Sequence, residues 1–148
     1  MAAVTVKGLD RLMRKLEAVG KPGALRRPMS QAVQHIRDVI LEYPPTTVAN
    51  SPANGYAWYE RGFGTRTQTG RGYATSETLG RRWTEEVNAT GTRGVVGNNA
   101  SYAPYVQSYE EQVAFHASRG WLTDAQVAES EGDRVARFFS DEIDRLLG

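Results

Sequence analysis

A chain of 148 residues with 18 Lys and Arg against 17 Asp and Glu can bury one core, and it is too evenly charged to act as a dedicated nucleic-acid binder by global electrostatics. It contains no cysteine, which excludes disulfide frameworks, thiolate metal sites and thiol nucleophiles. No apolar run reaches membrane-spanning length, and the opening MAAVTVKGLD lacks a signal-peptide core, so the expected setting is a reducing cytoplasm without membrane contact. Charge is nonetheless uneven along the chain. Residues 1–47 carry eight basic and four acidic side chains, net +4, whereas residues 119–148 carry four and seven, net −3. Such a dipole suits head-to-tail packing of identical subunits.

In chain order, VTV at 4–6 reads as a weak opening strand, followed by Leu9, Leu12, Met13, Leu16 and Val19 at helical spacing, with Gly20 as the expected close. The clearest helix follows Pro28, where Met29, Ala32, Val33, Ile36, Val39, Ile40 and Tyr43 form a wide apolar stripe ended by Pro44-Pro45. From 44 to 76 periodicity disappears. The segment is too rich in aromatics to read as a disordered linker, so an extended Gly-, aromatic- and Arg-rich arm is expected there, two-stranded, with its tip near Gly64–Gly70. A lone hairpin is marginal in water, so the arm is expected to lie on a neighbouring subunit. Leu79, Trp83 and Val87, then Val95 and Val96, mark an antiparallel pair turned by NATGTRG. Gly97, Asn98 and Asn99 tolerate a left-handed turn, and Ser101 is placed to cap a short helix with Pro104 in its first turn. Residues 109–121 read as loop with one helical turn. A final helix runs through Val127, Val135, Phe138, Phe139, Ile143, Leu146 and Leu147, capped by Thr123. The expectation is one α+β domain over 1–148: a small antiparallel sheet packed against a long helix of the N-terminal half and a C-terminal helix, with the arm inserted between helix and sheet.

Enzymatic chemistry is not legible. His35 and His116 are the only imidazoles and carry no HxxxH or HxxE spacing, and the glycines of RGFGTRTQTGRG fit no phosphate-loop pattern. The neighbouring Glu85 and Glu86 point to opposite faces of a strand and cannot act together as acid and base. The expectation is therefore no enzyme, no metal and no cofactor. The distinctive composition is arginine interleaved with aromatics: Tyr56, Trp58, Tyr59, Arg61, Phe63, Arg66, Arg71 and Tyr73 in the arm, then Tyr102, Pro104 and Tyr105 in SYAPYVQ. Residues 61–82 hold five arginines against Glu77 alone, net +4. Such residues build the buried centres of protein interfaces, and they also suit phosphate contact and base stacking; the eleven named residues are the candidate subunit or partner interface.

Four stretches in this order carry a resemblance: VTVKGLDRLMRKLEAV, PMSQAVQHIRDVILEYPP, SETLGRRWTEEV and RGVVGNNASYAPYVQ. They resemble the tail-completion, or head–tail joining, proteins of the neck of long-tailed bacteriophages. That family has an opening V-x-G-x-x-x-L, a helix ending near proline, a strand pair leading to Y-A-x-Y-V-E, and a C-terminal helix. Gln107 stands where the family has its glutamate, and the arm is longer than the family's usual link. The resemblance implies a structural protein of a tailed phage or prophage, made in the host cytoplasm and placed in the virion neck or tail. There it would form a homo-oligomeric ring, commonly a hexamer, against connector, tail-tube or terminator proteins, with DNA passing through the lumen. The alternative is a small DNA-binding module using the arginines of the arm.

Overall fold

The computed structural model describes residues 9–55, 57–60, 64–69 and 79–148. The opening VTV, together with Tyr56, Arg61, Phe63, Arg71 and Tyr73, lies outside them. The fold is α+β. Helices α1 (Leu9–Gly20) and α2 (Arg26–Ile40) are followed by a short 3-10 turn at Pro52–Asn54 and a first hairpin, β1 (Ala57–Glu60) with β2 (Gly64–Thr67). A second hairpin, β3 (Trp83–Val87) with β4 (Gly94–Asn98), leads into the short helices α3 (Ala103–Gln107) and α4 (Ala114–Ser118) and the long helix α5 (Asp124–Leu147). The expected sheet is thus two separate two-stranded antiparallel pieces among the described residues.

α2 sits at the centre. It packs on α5 along one side and on both strands of the second hairpin along the other, while α1 lies against α5. The 3–4 spacing of its apolar residues explains this, since Ala32, Val33 and Ile40 are all buried. Gly94 permits the close approach of β4: a Cβ there would collide with Val33 Cγ1 and with Met29 Sδ. Gly91, at φ +73°, turns the hairpin where any side chain would meet the backbone of Arg26. α2 ends at Ile40 and the chain turns through Leu41, so Tyr43 leaves the helix and enters the core just before the Pro44-Pro45 pair. At the start of α5 the Thr123 side chain accepts from the Gln126 N–H while Gln126 accepts from the Thr123 N–H, a complete capping box.

Several expectations are corrected. Gly64–Thr67 pairs with β1, Gly64 opposite Glu60, so these residues form a strand where the glycines predict the start of the tip; Gly70 lies outside the described residues. Nor does the described part of the 44–76 segment extend away from the body: the Tyr59 ring meets Trp121, and Arg119 donates to the Ala57 carbonyl. Asn50, fully buried, donates from Nδ2 to the carbonyls of Pro45 (3.1 Å) and Tyr59 (2.9 Å) and accepts the Tyr59 N–H at Oδ1 (2.7 Å). Its carboxamide meets β1 as a neighbouring strand would, tying the Pro-Pro corner to the hairpin. Gly97 and Asn98 continue β4, and no residue of 97–99 has positive φ. Tyr102, with no capping side chain, occupies the N-cap position expected for Ser101. The charge dipole is met in part within the chain, where Arg27 Nη1 on α2 lies 4.0 Å from Glu142 of α5; on the same pair of helices His35 Nε2 and Glu131 share a hydrogen bond of 2.6 Å.

Candidate functional site

The core centres on a cluster of aromatic rings and small apolar residues. Trp121 sits in its middle, meeting the Tyr43 ring at 5.0 Å and the Tyr59 ring at 5.1 Å, both edge-to-face. Three different parts of the chain converge here: Tyr43 follows α2, Tyr59 lies on β1, and Trp121 precedes α5. Leu79, Ala100, Ala103 and Val106 close the cluster, with Tyr102 packed against it. At one side it opens into a cleft of about 100 Å³, whose lining adds Tyr105 and His116 to the rings already named.

The polar groups of the cleft are few. The Tyr59 hydroxyl and His116 Nδ1 share a hydrogen bond of 2.8 Å. Burial pushes the Tyr59 phenol above its ordinary range, opposed in part by the Trp121 side chain and the Arg119 charge. Burial likewise pushes the His116 imidazole below its ordinary range, favouring the neutral ring. The Tyr102 phenol is raised for the same reason, against the Leu79 backbone and the Arg82 charge. Arg119 is buried beside the cleft, where its guanidinium donates to the Ala57 carbonyl and lies 4.6 Å above the centre of the Phe115 ring. Among the described residues, none of those lining the cleft carries a carboxylate, and no group of three His, Asp or Glu could hold a metal ion. The arrangement offers an occupant shape and ring contacts.

Of the residues singled out from sequence, the structure brings Tyr59, Tyr102 and Tyr105 together at this cleft. Tyr59, expected at an interface, is a core residue of its own chain, 8% exposed; aromatic composition is the same for core and interface, so composition alone does not separate them. Trp58 and Pro104 are half-buried. Arg66 binds Glu60 across the first hairpin at 2.6 Å. Tyr105 is different: it is 52% exposed at the cleft mouth. Tyr109, Val113, Phe115 and Leu122 are exposed in the same stretch, which therefore carries five of the eight exposed large apolar side chains among the described residues. Asn50, His116, Arg119 and Trp121 were not singled out as site residues from sequence. Only the aromatic character of Trp121 was a signal, since the roles of the other three depend on partners distant in the chain.

Fold and site together define a small α+β protein with an aromatic cleft and, within residues 105–122, a run of exposed apolar side chains. No protein-family model, curated protein or solved structure matches the chain.

Proposed function

We propose that this protein is a non-enzymatic assembly subunit of a tailed phage or prophage, forming a homo-oligomeric ring, a hexamer, at the head–tail junction or tail end. The observation that carries the reading is the concentration of exposed Tyr105, Tyr109, Val113, Phe115 and Leu122 within residues 105–122. An apolar set of this kind on one short stretch marks a contact surface. It is held on a firm frame: the Val113 N–H donates to the Tyr105 carbonyl, and the Gln112 amide donates to the carbonyls of Val106 and Trp121. The SYAPYVQ segment, which carries the resemblance to the neck proteins, begins this frame as α3. Ring neighbours, connector and tail-tube or terminator proteins are the partners this reading assigns, and the virion neck or tail is its location.

The test is the mass of the purified chain by light scattering in about 1 M salt, where charge attraction is screened beyond about 3 Å. A defined ring that falls to monomer in the Tyr109→Asp, Phe115→Asp double variant, with an unchanged circular dichroism spectrum, supports the reading. A monomer under those conditions, at the highest soluble concentration and mixed with neck and tail proteins, overturns it. Monomeric chain whose DNA affinity falls steeply with salt would favour the DNA-binding alternative instead.

A further inference from the structure

We infer that the cleft between Tyr59, Tyr102, Tyr105, His116 and Trp121 is a receptor for one uncharged aromatic ring. Size limits the occupant first. An enclosed apolar cavity of about 150 Å³ accepts benzene. A cleft of about 100 Å³ that opens to solvent beside Tyr105 therefore holds a single ring, with its polar end at the mouth, and excludes a bicyclic one.

Ring geometry and charge then set the chemistry. Trp121 already meets two tyrosines edge-to-face, at interplanar angles of 60° and 79°, and a further ring in the cleft extends that pattern. A cation would find aromatic walls but no carboxylate among the described lining residues, and the Arg119 guanidinium, buried close by, repels it. An anion gains little, because that guanidinium is already committed to the Ala57 carbonyl and the Phe115 face. The Tyr59–His116 pair offers one hydroxyl and one imidazole to a polar atom on the ring, which favours a phenol over benzene. Two sources could present such a ring: a free phenolic compound, or a tyrosine or phenylalanine side chain of a second copy. The binding chemistry is the same for both, and it does not depend on the proposed ring assembly.

The experiment is titration of the full chain with phenol, followed by the NMR signals of the Trp121 indole and the His116 ring, with cyclohexanol and tetramethylammonium in parallel. Phenol is expected to give saturable shifts confined to the cleft, with a Kd on the order of 1 mM for so small a ligand. Cyclohexanol should bind more weakly and tetramethylammonium not at all. Tyr105→Ala removes one wall at an exposed position and should weaken phenol about fivefold. Leu79→Phe fills the cleft and should abolish binding; if that variant does not fold, Tyr105→Ala decides alone. Light scattering with and without saturating phenol separates the sources. Dissociation of an oligomer identifies a neighbour's side chain as the occupant, and binding at constant mass identifies a free ring. Absence of saturable shifts, tetramethylammonium binding as tightly as phenol, or unchanged phenol affinity in Tyr105→Ala would each overturn the inference, and none of them bears on whether the chain forms rings.

Discussion

Replacing Asn50 by Ala tests the reasoning about how the first hairpin is held. Asn50 is fully buried and bonds both backbone groups of Tyr59, at 2.7 and 2.9 Å, in addition to the Pro45 carbonyl. Alanine leaves the Tyr59 N–H and carbonyl without their partner in the core. Each buried backbone group left unsatisfied costs about 1–3 kcal/mol, so the pair amounts to roughly 2–6 kcal/mol. Water entering the vacated space recovers part of this, and about 3 kcal/mol is the expected net loss. For a chain of this length that lowers the melting temperature by roughly 6–12 °C. Calorimetry at fixed protein concentration and pH 7.5 measures it, since any oligomer makes the midpoint concentration-dependent. Asn50→Asp is the companion variant: it keeps an acceptor for the Tyr59 N–H but sets a charge against two carbonyls, and should cost more than Ala. A loss under about 0.5 kcal/mol for Asn50→Ala, the scale of an ordinary surface change, would refute the strand-mimic account.

Three further outcomes follow from the same structure. Burial lowers the His116 pKa from about 6.5, so the unfolded chain binds more protons than the folded one and stability falls as pH drops from about 6.5 toward the lowered folded-state value. Urea midpoints across that window should decline for the native chain and decline less for His116→Gln, which keeps a polar partner for Tyr59. Gly94→Ala should push β4 off α2 against Val33 and Met29 and cost about 1–3 kcal/mol, read as a lower urea midpoint. Thr123→Ala removes the side-chain half of the capping box and should cost about 1 kcal/mol, seen as a melting temperature lower by about 2–4 °C.

What could be read from the sequence divides by the range of the forces involved. α2 and α5 were legible because a helix repeats its apolar spacing locally, and Thr123 was legible because a cap acts within one turn. The second hairpin was legible as two short β-rich runs around a turn. The register of the first hairpin was not: glycines recur at 62, 64, 70 and 72, so several registers agree with the same residues. Asn50 carried no signal at all, because an asparagine in a Pro-rich segment reads as a turn residue and its value here comes from a strand nine positions away. The pairing of His35 with Glu131, 96 positions apart, is likewise invisible to spacing, although the opposite charges of the two chain ends are plain. Those charges suggest subunit-to-subunit complementarity, and the packing of α2 on α5 satisfies part of it internally.

Gln107 shows how a residue type is set by what it must donate to. In the sequence it ends Y-A-P-Y-V-Q, where the proposed likeness to neck proteins would place a glutamate. In the fold it is 4% exposed at the end of α3, and its Nε2 donates to the carbonyls of Ile40 (2.8 Å) and Leu122 (3.3 Å). These bonds join the end of α2 to the segment entering α5. A carboxylate has no hydrogen to give either carbonyl and would face both as a buried like-signed acceptor, so the Gln107→Glu exchange, once ionised, would break the junction that the amide makes. The corner that positions Tyr102 and Tyr105 at the cleft thus depends on a donor from Gln107, and the main-chain carbonyls of Ile40 and Leu122 call for an amide at this position.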